Sequence, residues 1–111
     1  MDKLETYRQA IKRLLTQCTE GGQSSTDIQV QLIFDDERGH YQWMELGWQG
    51  LTRVYNCIVH LDIQQDKIWL QRNMTDRELA EDLVVLGVAR EDIVLGLHPE
   101  YKRPYTDYGV A

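Results

Sequence analysis

His60 and Asp62 stand two residues apart in a stretch of alternating apolar and polar residues, so both side chains leave the same face of one extended strand. Imidazole and carboxylate are the groups that bind transition metals and relay protons. A catalytic zinc takes three protein ligands, however, and the spacing of His40 and His98 places neither beside this pair. His60 and Asp62 are therefore read as a polar face or interface patch, and no metal or cofactor site is expected. Asp92 followed by Glu100-Tyr-Lys102 echoes the Asp, Glu-x-Lys set that holds magnesium in many nucleases. Such residues sit on adjoining strands, whereas Glu100 and Lys102 lie beyond Pro99 in irregular chain. No glycine-rich phosphate loop follows a strand, and no Ser or Cys is set beside a His as a nucleophile. The residues thus name no reaction, and the chain is expected not to be an enzyme. Cys18 and Cys57 are widely separated and read as two buried free thiols.

The elements that position these groups follow from periodicity. Leu4, Tyr7, Ile11, Leu14, Leu15 and Cys18 recur at helical spacing over residues 3–19, and Gly21-Gly22 is expected to stop that helix. Residues 27–34 alternate, with Ile28, Val30, Leu32 and Phe34 on one face. Asp35 to Gly39 is turn chemistry, and residues 41–48 form a second strand whose register the pattern leaves open, both faces carrying large residues. After a turn framed by Gly47 and Gly50, residues 52–63 form a third strand. Tyr55, Cys57, Val59, Leu61 and Ile63 are assigned to one face and Asn56, Ile58, His60 and Asp62 to the other. A two-residue turn at Gln65-Asp66 would pair Ile63 with Ile68, Asp62 with Trp69, Leu61 with Leu70 and His60 with Gln71. Thr75 and Glu78 have capping-box spacing, so a second helix is expected to start there, bury Leu79, Leu83 and Leu86, and stop at Gly87. Ile93 to Leu95 is strand-like. The fold class is α+β in the order α-β-β-β-β-α: a four-stranded antiparallel meander covered on one face by two helices, with an aromatic C-terminal arm.

Two surfaces are candidates for binding. One is the sheet face away from the helices, with Ile58, His60, Asp62, Trp69 and Gln71; the other is the arm, where Tyr101, Arg103, Tyr105 and Tyr108 are residue types that dominate interface hot spots. Aromatics on an open sheet can also stack nucleic-acid bases, which leaves a nucleic-acid-binding module using Tyr41, Trp43, Tyr55 and Trp69 as an alternative. That mode needs a basic rim. The net charge is -6, with residues 76–92 summing to -4, so any action on DNA is expected to be indirect. At 111 residues the chain is expected to form one domain spanning 1–111. Met1-Asp2-Lys3 leads directly into the first helical pattern, with no apolar leader and no run of about twenty apolar residues such as a membrane span requires; a cytoplasmic location without membrane contact is expected.

Three segments carry a family resemblance: His60-Leu-Asp-Ile-Gln-Gln-Asp-Lys-Ile-Trp-Leu-Gln71, Thr75-Asp-Arg-Glu-Leu-Ala80 and Gly87-Val-Ala-Arg-Glu-Asp-Ile-Val-Leu-Gly-Leu-His-Pro99. With Arg103-Pro-Tyr-Thr106 and Val110-Ala111, the text from Trp48 onward resembles the XisI family, excision controlling factors of the cyanobacterial fdxN element. The resemblance implies an accessory factor for developmentally controlled DNA excision during heterocyst differentiation. It further implies an XisH-like protein as partner, whose fold resembles restriction endonucleases, and a separate recombinase; the acidic strip near the second helix suits an adaptor that binds that partner, and the uncovered sheet face suits pairing with it or with a second copy of this chain as a dimer. An inhibitor or antidote of that nuclease-like partner is the alternative within the same resemblance. An Asn-Gly-like turn is also implied between the third and fourth strands, from which Gln65-Asp66 departs.

Overall fold

The computed structural model describes residues 2–20 and 27–110. Helix α1, Lys3–Thr19, opens at Asp2, whose backbone is extended and whose Oδ1 accepts the Leu4 N–H at 3.1 Å. Its apolar stripe buries Tyr7, Ala10, Ile11, Leu14 and Leu15. The expected Gly21-Gly22 stop lies outside the described residues. Strands β1 (Ile28–Asp35), β2 (His40–Gln49), β3 (Thr52–Gln64) and β4 (Lys67–Asn73) form the antiparallel meander. Helix α2, Leu79–Val85, then carries the chain to β5, Ile93–Val94.

The sheet order is β1-β2-β3-β4-β5, so the meander gains a fifth strand. β5 runs parallel to β4, pairing Ile93 with Ile68 and Val94 with Trp69, because α2 acts as a crossover that returns the chain in the original direction. The chain end extends this edge once more: Gly109 N–H donates to the Ile93 carbonyl at 2.8 Å. Between the helices and the sheet lies one core of Tyr7, Ile11, Leu14, Leu15, Tyr41, Val59, Leu61, Ile68, Leu70, Leu79, Leu83 and Ile93.

The β3–β4 turn forms at the expected place. Gln65 and Asp66 both take positive φ (54° and 64°), the left-handed pair that two-residue hairpins require and that Asn-Gly supplies more easily. Ile63–Ile68, Asp62–Trp69 and Leu61–Leu70 pair as expected, but His60 stands opposite Arg72, since a bulge at Gln71 inserts one residue into β4. A second bulge at Ile58 lies in β3 opposite the Trp43/Met44 step. It reverses the alternation: Cys57 pairs with Met44 and Tyr55 with Leu46, on the side away from the helices. The assignment of Tyr55 and Cys57 to the core face is therefore corrected, and Tyr55 is 65% exposed. Cys18 and Cys57 are half-buried free thiols.

The start of α2 is also corrected. Helical structure begins at Leu79, four residues after Thr75, and Glu78 makes no side-chain cap bond. Thr75 instead belongs to a turn organised by Asn73. Asn73 Oδ1 accepts the Thr75 N–H (2.9 Å) and hydroxyl (2.6 Å), its Nδ2 donates to the Arg77 carbonyl (3.0 Å), and Thr75 Oγ1 accepts the Arg77 N–H (3.1 Å). Short polar side chains compete with the helix for local backbone groups in this way. Asn73→Ala, which loses three bonds, is expected to cost about 1 to 2 kcal/mol and Thr75→Ala about 1 kcal/mol or less. Urea unfolding of both variants checks the order. The C-terminus of α2 is as expected: Gly87, at φ 106°, donates to Val84 while Val88 donates to Leu83, the paired bonds of a Schellman motif.

Candidate functional site

The β2–β3 register sets His40 opposite Asp62 and Gln42 opposite His60. Directly paired residues share a face, and the interleaved pair Tyr41–Leu61 faces the core, so these four side chains emerge on the side away from the helices. His40 Nδ1 lies 2.7 Å and His60 Nε2 2.8 Å from the same oxygen, Asp62 Oδ1. Gln71, carried out of the regular ladder by its bulge, donates from Nε2 to Asp62 Oδ2 at 3.2 Å. Only 8% of the Asp62 side chain is exposed, against 29% for His60 and 52% for His40. Burial works to raise the Asp62 carboxyl pKa. The hydrogen bonds of His40, His60 and Gln71 and the charge attraction of His60 outweigh it and hold the group below the usual carboxylate range.

An ionised Asp62 only accepts hydrogen bonds, so each ring nitrogen facing it carries a proton. Gln42 Nε2 lies 3.4 Å from His60 Nδ1, on the side of the ring away from Asp62. His40 is therefore the third member that the sequence left unplaced; finding it requires the register of β2, which the two-sided pattern of that strand hides. His40 Nδ1, His60 Nε2 and an Asp62 carboxylate oxygen all lie within 4.8 Å of one another, a grouping among the described residues with the ligand types and spacing that could hold a metal ion.

The other expected site residues separate into three environments. Ile58, assigned to the far face, is partly buried and packs against the core at its bulge, a correction that follows from the same irregularity that displaces Tyr55. Trp69 and Gln71 do emerge away from the helices but are half-buried, Trp69 beneath the arm and Gln71 against the chain just after β5. The Arg103 guanidinium lies 5.2 Å over the Trp69 ring, and Gly96 sits so close that a Cβ there would meet Gln71 Oε1 at 2.5 Å. The arm is a 3-10 helix, Glu100–Tyr105, from which Tyr101 (70%) and Tyr105 (89%) project into solvent beside a hollow also lined by His98, Lys102 and Thr106. Tyr108 faces inward, packs on the core and donates its hydroxyl to Glu81, which also binds Arg90; burial and the Glu81 bond push its pKa up to about 12. Of the strand aromatics, Tyr41 and Trp43 pack on the helix side, so they add nothing to an open stacking platform.

The nuclease-like echo is not assembled. Asp92 accepts from Tyr7 Oη at 2.6 Å and pairs with Lys3 Nζ at 2.8 Å, tying the start of α1 to the turn before β5, while Glu100 and Lys102 are exposed on the arm. Burial raises the Asp92 pKa, but the Lys3 and Tyr7 bonds prevail and the net shift is downward. A depressed folded pKa means that this stabilisation is complete above the unfolded Asp value and is lost as pH falls through the folded one. The stability gap between wild type and Asp92→Asn is therefore expected to be constant down to about pH 5 and to close below about pH 4. Denaturant midpoints across that range measure it.

The family model described as XisI protein matches residues 1–110. The chain belongs to the XisI family. A crystal structure of a XisI-like protein from Anabaena variabilis ATCC 29413 is similar to this XisI-family chain at TM-score 0.94 and 59% identity, covering 97% of this chain and 99% of that one. A second crystal structure, of the fdxN element excision controlling factor XisI from the same organism, is similar at TM-score 0.88 and 34% identity, covering 99% and 100%. No curated protein matches the chain. Among the described residues of this XisI member, no helix is long and apolar enough to cross a membrane.

Proposed function

We propose that this chain acts in controlling excision of a DNA element, as a non-enzymatic adaptor that binds an XisH-like protein. The observation that carries the reading is the end-to-end similarity, at 34% identity, to a protein named as the fdxN element excision controlling factor. Two surface features support the adaptor role. Tyr101 and Tyr105 stand exposed on an arm stiffened by Pro99 and Pro104, so little chain entropy is lost when they dock. Asp76, Glu78 and Glu91 are exposed around α2 and suit a basic partner surface, whereas Glu81, Asp82 and Asp92 are already paired.

The test is co-purification and titration with the XisH-like protein of the same genome. Wild type is expected to bind, and Tyr101→Ala/Tyr105→Ala to weaken binding about tenfold or more while melting as wild type does. No binding by wild type overturns the adaptor reading. Assaying the partner's nuclease activity with and without this chain separates an activator from an inhibitor. Pure protein with plasmid and Mg2+ or Mn2+ is expected to leave the DNA intact; cleavage abolished by Asp92→Ala or Glu100→Ala overturns the non-enzymatic part.

A further inference from the structure

We propose that His40 Nδ1, His60 Nε2 and Asp62 Oδ1 form a binding site for one divalent transition-metal cation of the zinc class. Two imidazole nitrogens and one carboxylate oxygen are the ligand types such ions prefer over magnesium or calcium, and three protein ligands with an open position is the count of an accessible zinc site. The two nitrogens stand 2.7 and 2.8 Å from the shared oxygen. Ligand atoms around tetrahedral zinc, with bonds of about 2.0 to 2.1 Å, are about 3.3 Å apart. The cluster must therefore open by about half an ångström per contact, and His40, at half exposure, has room to swing.

The surroundings match what a bound ion needs. Gln71 holds Asp62 through Oδ2, which leaves Oδ1 to the ion. Gln42 sits on His60 Nδ1; turned over, the same amide offers its oxygen to Nδ1–H, the outer hydrogen bond that fixes a ligating imidazole. The ligands come from paired positions on β2 and β3 inside the sheet, which holds their backbones more rigidly than a loop would. Water completes the coordination on the exposed side. The inference is independent of any XisH-like partner.

Calorimetric titration with Zn2+ of chelator-stripped protein tests the site, with Co2+ absorption as a second probe of coordination. Wild type is expected to bind one ion, and His40→Ala and Asp62→Asn each to lower the affinity at least about tenfold. His98→Ala and Cys18→Ser are expected to bind as wild type does. His40→Ala removes a half-exposed side chain, and its metal-free melting curve reports whether the fold is intact; Gln42→Ala, also outside the core, is expected to weaken binding without touching a ligand. Absence of Zn2+ uptake by wild type overturns the proposal, as does uptake unchanged in His40→Ala or lost equally in Cys18→Ser.

Discussion

Leu70→Ala is expected to lower the stability of the fold by about 2 to 5 kcal/mol, through lost burial and the cavity left behind. Leu70 is 3% exposed and pairs with Leu61, which is fully buried, beneath the leucines of α2. Neighbouring strands are fixed by their ladders and cannot collapse into the vacated space, which puts the loss toward the upper part of the range. Urea unfolding measures it, with Tyr55→Ala as the contrast. Tyr55 faces solvent beyond the Ile58 bulge, and its removal is expected to change stability by about 0.5 kcal/mol or less. A large loss for Tyr55→Ala would restore the unbroken alternation along β3.

Gly47→Ala is expected to cost about 3 kcal/mol, combining backbone strain with overlap. Gly47 has φ 153°, and a Cβ there would lie 1.9 Å from the Asp27 carbonyl oxygen, which also accepts the Trp48 N–H at 3.0 Å. That atom is backbone and cannot rotate aside, so the first hairpin must shift and weaken the bond. Gly50 supplies the control. Its φ is 63°, yet a Cβ there would meet nothing within 4 Å, so Gly50→Ala is expected to cost only the left-handed strain of about 1 to 2 kcal/mol. Thermal or urea unfolding of the two variants side by side measures the difference. Equal losses for both would show that overlap at Gly47 is relieved by movement.

Periodicity was sufficient wherever one face of an element is wholly apolar. The α1 stripe, the β1 alternation and the Leu61–Leu70 pairing are of this kind, because a slip there exposes a row of buried or half-buried side chains. It failed where one inserted residue changes the parity. The bulges at Ile58 and Gln71 leave no mark in composition, yet they move Tyr55 and Cys57 across the sheet, turn Ile58 into the core and set His60 opposite Arg72. Thr75 and Glu78 satisfied the capping pattern, but Asn73 takes both the N–H and the hydroxyl of Thr75 into a turn instead. Two of the three residues of the His-Asp cluster were legible, since His60 and Asp62 are two apart on one strand. His40 was not, because it is brought in by long-range pairing. The parallel β5 was likewise hidden: a two-residue strand gains its direction from the crossover that precedes it.

The bridge from Tyr7 to Asp92 joins residues 85 positions apart and so imposes an order of assembly. During synthesis from the N-terminus, the hairpins from β1 to β4 can close as each emerges, since every pairing is with the next strand. Helix α1 leaves the ribosome before these strands yet receives this anchor only after residue 92 has appeared, when α2 is also available to cover its flank. Until then its apolar stripe rests on an incomplete wall. A nascent chain stalled before residue 92 is thus the vulnerable species, in which α1 is made before the sheet but still lacks its tie to the turn ahead of β5.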